Sequence, residues 1–357
     1  MRRKFILWGI LLALPIVAIL AGIGTVAYWT IPAAPFVVQG EPLVAYDPEI
    51  GFVPNPNTVS RRTHFDRDGK QVASYRIFND RRGARVTQPG ELAPARPDIL
   101  FIGDSFAWGH GVENEQTFAH RVPLELGVTG ANLAMASYGT TQSLQMLRRN
   151  LDLAPRLIVY AFINDHLARN TLPCARSYYP FCTDLSHVVW NADGRPRIAP
   201  PRGDGVARVL LQNKADRGWL DPLTWVVHGV DVAYGRMLWL EGNKTLLDTA
   251  RQNQALDFLL AEMVKTAQSS GAALLLVHIP MGARMPDILA SSAAKFGVPL
   301  LDLWPAYRAH EDAPGAPSLT IYDGHPSPAG HALIASEIAS FVRHRGLLTQ
   351  PSDATAR

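Results

Sequence analysis

Asp98-Ile99-Leu100-Phe101-Ile102-Gly103-Asp104-Ser105-Phe106 is the stretch whose reading decides the fold. Ile99 to Ile102 form a short continuous apolar run, as expected of a strand buried on both faces. The run ends in Gly-Asp-Ser, where a glycine lets the backbone turn sharply. Ser105 is thereby expected at the mouth of the crevice in which open α/β sheets hold their ligands. Gly, Asp and Ser are also ordinary turn residues, so the reading rests on what the rest of the chain supplies.

Downstream, apolar runs alternate with helical patterns. Further strands are expected at Ala131–Ala134, Leu157–Ile163, Leu274–Ile279 and Val298–Leu303. Helices are expected over Thr117–Leu126, with Gly127 as its stop, over Thr141–Leu151, and over Pro328–Arg343. Leu256, Leu259, Leu260, Met263 and Ala267 have the spacing of one more amphipathic helix. Short apolar strands interleaved with helices imply a mostly parallel sheet covered on both faces, an α/β fold. The connection His166–Thr245 is too long for a plain loop. It reads as an insertion (166–245), either a lid or substrate wall over the active face or a decorative subdomain. Within it, His187 to Gly194 reads as a strand running into a turn.

Upstream, Phe5 to Trp29 carry no charged side chain, and Arg2, Arg3 and Lys4 precede them. That length suits a bilayer-spanning helix of about 20 residues. The basic flank keeps the N-terminus cytoplasmic and exports the remainder. The expectation is therefore a single-pass inner-membrane protein anchored through residues 5–29, with residues 1–30 as tip and anchor and its main domain on the periplasmic side. A cleaved signal peptide is the rival, and its apolar core would be shorter. Residues 31–97 read as a tether followed by accessory strands such as Ser74–Phe78, with Arg81, Arg82 and Arg85 as a solvated basic face. Residues 98–346 form the main domain, and 347–357 read as a disordered tail.

The formal charge of the 357-residue chain is +3, and the N-terminal arginines and lysine account for it. Nothing points to a nucleic-acid partner. No zinc-finger spacing, P-loop or G-x-G-x-x-G occurs. The two cysteines, Cys174 and Cys182, are expected to pair as a disulfide if the domain is exported.

Four pieces fall at or just beyond successive strand ends: Gly103-Asp104-Ser105-Phe106, Ala136-Ser137-Tyr138-Gly139-Thr140-Thr141-Gln142, Phe162-Ile163-Asn164-Asp165 and Tyr322-Asp323-Gly324-His325-Pro326. Acyl transfer by a serine needs a base, an orienter for the base and donors for the oxyanion. Ser105 is the candidate nucleophile, His325 the base and Asp323 its orienter. The Ser105 and Gly139 amides and the Asn164 side chain are the candidate oxyanion donors. Trp108, His110 and Tyr138 are candidates for lining the acyl or sugar pocket, and each reads equally well as packing. His331 is expected to face outward from the last helix, and Asp104 to support the turn around Ser105.

The order Ser105, Gly139, Asn164, His325 resembles the SGNH (GDSL-like) hydrolase family, named for those four residue types. The strings Gly-Asp-Ser-Phe-Ala-Trp-Gly-His-Gly-Val, Tyr-Gly-Thr-Thr-Gln and Asp-Gly-His-Pro-Ser-Pro-Ala-Gly-His look like its membrane-linked bacterial members. The resemblance spans about Asp98 to Arg345 and leaves the insertion outside it. It implies a flavodoxin-like three-layer α/β/α sandwich, ester hydrolysis or acyl transfer, no metal and no organic cofactor. Two departures stand out. Phe162 occupies a position where many members have glycine. The acid lies two residues before the histidine rather than three, where Tyr322 stands. The expected function is thus a membrane-anchored serine esterase or O-acyl transferase acting on an O-acyl ester of an envelope glycan or lipid. The alternative is a non-catalytic envelope protein that binds a glycan or partner through an inherited site.

Overall fold

The computed structural model describes residues 13–19, 21–22, 36–66, 69–175, 183–201 and 248–348. Most of the expected anchor, Cys182, the greater part of the insertion and the last nine residues of the tail lie outside the described residues. Among those described, no helix is long and apolar enough to cross a membrane.

Residues 36–86 build a small antiparallel layer. Strands β1 (Phe36–Gly40), β4 (Val59–Phe65), β5 (Gln71–Asn79) and β6 (Arg85–Val86) pair in the order β1-β4-β5-β6, while β2 (Val44–Asp47) and β3 (Gly51–Pro54) form a hairpin. Alternation sends one side of each strand inward. Phe36, Val38, Tyr75 and Ile77 thereby join the same hydrophobic core as the main sheet. Arg62 and His64 of β4 point to that buried side too. The Arg62 guanidinium lies 3.5 Å from the centroid of the Phe36 ring, a cation–π contact that softens the cost of burying the charge.

The main sheet is entirely parallel. Its strands are β7 (Ile99–Ile102), β8 (Gly130–Asn132), β9 (Leu157–Phe162), β14 (Ala273–His278) and β15 (Leu300–Asp302), ordered β15-β14-β9-β7-β8. In chain order that is 2-1-3-4-5, the flavodoxin-like arrangement. Every residue of β7 and β9 is buried, which is why the sequence shows continuous apolar runs there and no alternation. β8 and β15 are edge strands of three residues, shorter than their apolar runs because each pairs on one side.

Helices complete the layers. Thr117 caps α2 (Phe118–Leu126) through its side chain, and Gly127 closes it in the left-handed region. α2 packs on the C-terminal helix α8 (Pro328–Arg345), whereas α3 (Thr140–Arg149) and α6 (Asp287–Phe296) pack on the long α5 (Thr249–Ser269). Leu256, Leu259, Leu260, Met263 and Ala267 are all buried, as their spacing predicts. Two expectations are corrected. His331 does not face out from α8: it is fully buried, and its Nδ1 accepts the Phe118 N–H at 3.2 Å, satisfying an orphan donor at the start of α2. Arg85 is not part of a solvated face but is buried with its guanidinium on main-chain carbonyls.

The start of the insertion is docked on the main domain. After α4 (His166–Arg169), the short strands β10 (Cys174–Ala175) and β11 (Thr183–Asp184) pair with each other, and the hairpin of β12 (His187–Trp190) and β13 (Pro196–Ala199) follows. Leu185 and Val188 are buried, and the Val188 N–H donates to Asn170 O at 2.7 Å. At the other end of the chain, Leu347 and Leu348 still pack on the core.

The two central strands fix where Ser105 emerges. Gly103 has φ +150°, and a Cβ there would lie 2.9 Å from Ala161 O on β9. A side chain would force β7 away from β9 just before the Ser105 turn. Gly103→Ala should lower stability by about 2 kcal/mol or more, read as a fall in the urea midpoint at unchanged slope.

Candidate active site

Strand order reverses between β7 and β9, the switch point at which open sheets leave a crevice beyond their carboxyl ends. Ser105 leaves β7 and Asn164 leaves β9 on that edge. Ser105 is the first residue of the one-turn helix α1 (Ser105–Trp108). The Asp104 side chain caps this turn, its Oδ1 accepting the Phe106 N–H at 3.0 Å. Asp104 is completely buried, its Oδ2 lying 3.0 Å from Arg169 Nη1 and 3.5 Å from His166 Nε2. Burial by itself would raise the Asp104 carboxyl, but His166, Arg169 and the Phe106 N–H together bring it below the ordinary carboxylate range. The expected support of the nucleophile turn is thus an ion pair between block one and α4, the helix that follows block three.

The fourth block closes on the first. His325 Nε2 lies 2.8 Å from Ser105 Oγ, and His325 Nδ1 lies 3.0 Å from Asp323 Oδ1. The loop carrying both is tight: Thr320 and Pro326 form a bridge, the Ile321 N–H donates to His325 O at 2.8 Å, and Gly324 sits at φ +86°. The His325 N–H also donates to Asp323 Oδ1 at 3.2 Å. This compact turn lets an acid two residues ahead reach the imidazole, while Tyr322, at the family's usual position, is half exposed. Burial pushes the Asp323 carboxyl up, but hydrogen bonds from His110 and His325 outweigh it and hold the group far below its ordinary value. His110, a candidate for lining the pocket or for packing, is instead on the acid: its Nε2 lies 3.0 Å from Asp323 Oδ2.

The oxyanion candidates are differently placed. Ser105 heads α1, so its N–H has no intrahelical acceptor. Asn164 is oriented by a chain from the neighbouring strands: Asp302 Oδ1 lies 2.8 Å from His278 Nδ1, and His278 Nε2 lies 3.1 Å from Asn164 Oδ1. One Asn164 Nδ2 hydrogen goes to Arg284 O at 3.0 Å, and the amide carries a second. The Gly139 N–H donates to Gln142 Oε1 at 2.9 Å, as the N-cap of α3. That glycine is dictated by close approach, since a Cβ would lie 3.0 Å from Asn170 Oδ1 and 3.1 Å from Arg169 Cβ.

Of the two readings for Trp108 and Tyr138, pocket lining and packing, the structure gives the second: both are interior. Trp108 is 2% exposed, with the Arg85 guanidinium 5.0 Å from its ring. Tyr138 is fully buried, and its hydroxyl donates to Phe52 O at 2.8 Å. They brace the loops from behind because a bulky ring next to a buried turn gains more by packing than by facing water. Phe162 is fully buried too, edge-on to His166, so its bulk is taken up by the core. Cys174 begins β10, and its expected partner Cys182 lies outside the described residues.

Among the described residues, His110, Asp323 and His325 have ligand atoms all within 4.8 Å of one another, a spacing a metal ion could use. Those atoms already meet one another, each imidazole nitrogen on its own carboxylate oxygen.

Residues 101–333 match the GDSL-like Lipase/Acylhydrolase family, and the chain belongs to that family of ester hydrolases. Solved structures that align with the chain include TesA, with 15% identity over 69% of this chain and 98% of that one, at a TM-score of 0.36. A GDSL-like lipase from Bacteroides thetaiotaomicron aligns with 11% identity over 69% of this chain and 88% of that one, TM-score 0.35. A carbohydrate esterase family 2 enzyme with its carbohydrate-binding domain from Corynascus thermopiles (Myceliophthora fergusii) aligns with 14% identity over 87% of this chain and 86% of that one, TM-score 0.38. None of the curated proteins matches the chain.

The Asp104 ion pair carries a pH signature. In the wild type its depressed carboxyl contributes stability above the unfolded-state value and loses it as pH falls through the folded one. Arg169→Met removes the guanidinium and lets burial push the carboxyl up. The deficit should be about 3 kcal/mol at neutral pH and narrow on acidification, where a neutral Asp104 no longer needs its partner. Urea denaturation at neutral pH and in acetate buffer reads both values.

Proposed function

We infer that the chain is a serine ester hydrolase or O-acyl transferase that forms an acyl-enzyme on Ser105. The observation carrying this reading is the 2.8 Å contact between Ser105 Oγ and His325 Nε2, with Asp323 3.0 Å behind the ring. His325 takes the Ser105 proton as Oγ attacks the acyl carbon, and returns it to the departing alcohol. Water or an acceptor hydroxyl, deprotonated by the same imidazole, then releases the acyl group. Asp323, held ionised, keeps the Nδ1–H tautomer and stabilises the imidazolium. The Ser105 amide and the second Asn164 Nδ2 hydrogen are the donors assigned to the developing negative charge. The Gly139 amide can join them only by giving up Gln142 or dividing its one hydrogen between two acceptors.

The proposed substrate is an O-acyl ester of an envelope glycan or lipid. Support comes from the uncharged stretch 5–29 behind Arg2, Arg3 and Lys4, which would retain the domain at the inner membrane facing the periplasm. Export would also favour a Cys174–Cys182 disulfide.

Ser105→Ala and His325→Ala should each lower turnover of a chromogenic acetyl ester by at least about a thousandfold, and a fluorophosphonate should label Ser105 in the wild type. Turnover unchanged in both variants would reject the assignment, and an unlabelled, inactive wild type would favour a binding protein with an inherited site. Asn164→Ala should lower kcat by about a hundredfold or more with a smaller change in KM, because its amide is used most in the transition state.

A further inference from the structure

Asp323 receives two imidazoles, one on each oxygen. His325 takes Oδ1, and His110 Nε2 lies 3.0 Å from Oδ2. His110 belongs to the nucleophile's own segment. It sits between Gly109 and Gly111, both in the left-handed region at φ +90° and +84°, and its N–H donates to Ser105 O at 3.0 Å. Arg85 of β6 clamps this loop, donating to Trp108 O at 2.5 Å, Gly109 O at 2.6 Å and Val112 O at 2.6 Å. The His110 ring also stacks on the His325 ring, with centroids 4.2 Å apart and planes at 26°. From the accessory sheet, His64 meets His110 edge-on at 4.9 Å.

We propose that His110 is a positioning residue for the catalytic pair, its Nε2–H fixing the Asp323 carboxylate and its ring fixing the plane of His325. This inference rests on the ester-hydrolase reading of the same site and adds a residue to it. An acid two residues from its histidine reaches that ring from within one small turn. Its outer oxygen then points into the protein and needs a donor there. A neutral imidazole supplies one without adding a charge that would weaken the Asp323–imidazolium attraction. The titratable and charged groups facing His110 are Asp323 and His325 from the 320–326 loop, Arg62 and His64 from β4, Tyr75 from β5 and Arg85 from β6. Burial first, then His325 and Arg62, push His110 down to about 3 against the pull of Asp323, so it stays neutral through the working range. His64, likewise buried, is down at about 2.

The test compares two variants of the full chain. His110→Phe keeps a ring to stack but has no donor. His110→Gln keeps an N–H near the Nε2 position but has no ring. Without the donor, Asp323 holds its negative charge less shared and binds the imidazolium more tightly, so His325 should titrate higher. For His110→Phe, kcat should fall tenfold to about a hundredfold, and the acid limb of the kcat/KM profile should move to higher pH. His110→Gln should restore the limb toward wild type and recover part of kcat. Proton NMR titration of His325, assigned with His325→Gln, should show the same order without relying on turnover. A packing role alone predicts the reverse, with His110→Phe close to wild type in rate and titration and His110→Gln the worse variant, and that result overturns the proposal. If the wild type neither turns over esters nor takes the fluorophosphonate, the parent reading fails. The NMR order then still decides whether His110 positions the pair.

Discussion

One fully buried carboxylate holds the chemistry in register. Asp104 caps the turn that presents Ser105, and the same side chain is ion-paired to Arg169 and close to His166 on the helix after β9. A buried negative charge is tolerable only when its lone pairs are used and a positive partner is near. The chain therefore cannot move the Ser105 turn without moving α4. His166 extends the tie, its Nδ1 lying 2.7 Å from the Tyr160 hydroxyl, which donates to Thr140 Oγ1 at 2.8 Å. Blocks one and two are thus linked through β9 and α4, the elements on either side of block three, by a polar network inside an otherwise largely apolar core.

The small antiparallel layer adds a second kind of support. It shares the main hydrophobic core rather than forming one of its own, and it lends the site its buried polar side chains from behind. Arg85 satisfies carbonyls that a glycine-rich loop would otherwise leave without partners, which makes the loop 108–112 rigid despite its glycines. His64, Tyr75 and His110 then form a packed aromatic wall at the rear of His325. The insertion takes part as well: Gln142, which accepts the Gly139 N–H, donates to the Ser186 hydroxyl at 3.1 Å and to Ser186 O. The Gly139 turn is thereby connected to the segment that follows α4.

Much of this frame was readable in the residues. Ile99–Ile102 is a strand with the bounds its apolar run suggests, and Thr117 and Gly127 bracket α2 as their types predict. The pairing of Asp323 with His325 could be named because no other carboxylate is near in sequence. Other roles could not be read. Arg85 looked like one more surface arginine beside Arg81 and Arg82, and His331 looked like an outward position on an amphipathic helix. Trp108 and Tyr138 read equally as pocket walls or as packing. In each case the side chain's direction depends on a neighbour tens to hundreds of residues away: Gly109 O for Arg85, the Phe118 amide for His331, Phe52 O for Tyr138. Local patterns carry no information about such partners.

The residues alone determined the alternation of strand and helix, the parallel sheet and the four blocks in order. Those depend on burial of apolar runs and on turn chemistry, which act over a few positions. Only the tertiary structure decided that His110 shares the acid with His325, that Asp302 and His278 orient Asn164, and that the Gly139 amide is taken by Gln142. A hydrogen bond needs its two atoms within about 3 Å. Whether residues from different strands meet that condition follows from how the layers pack, a property no single segment of the chain contains.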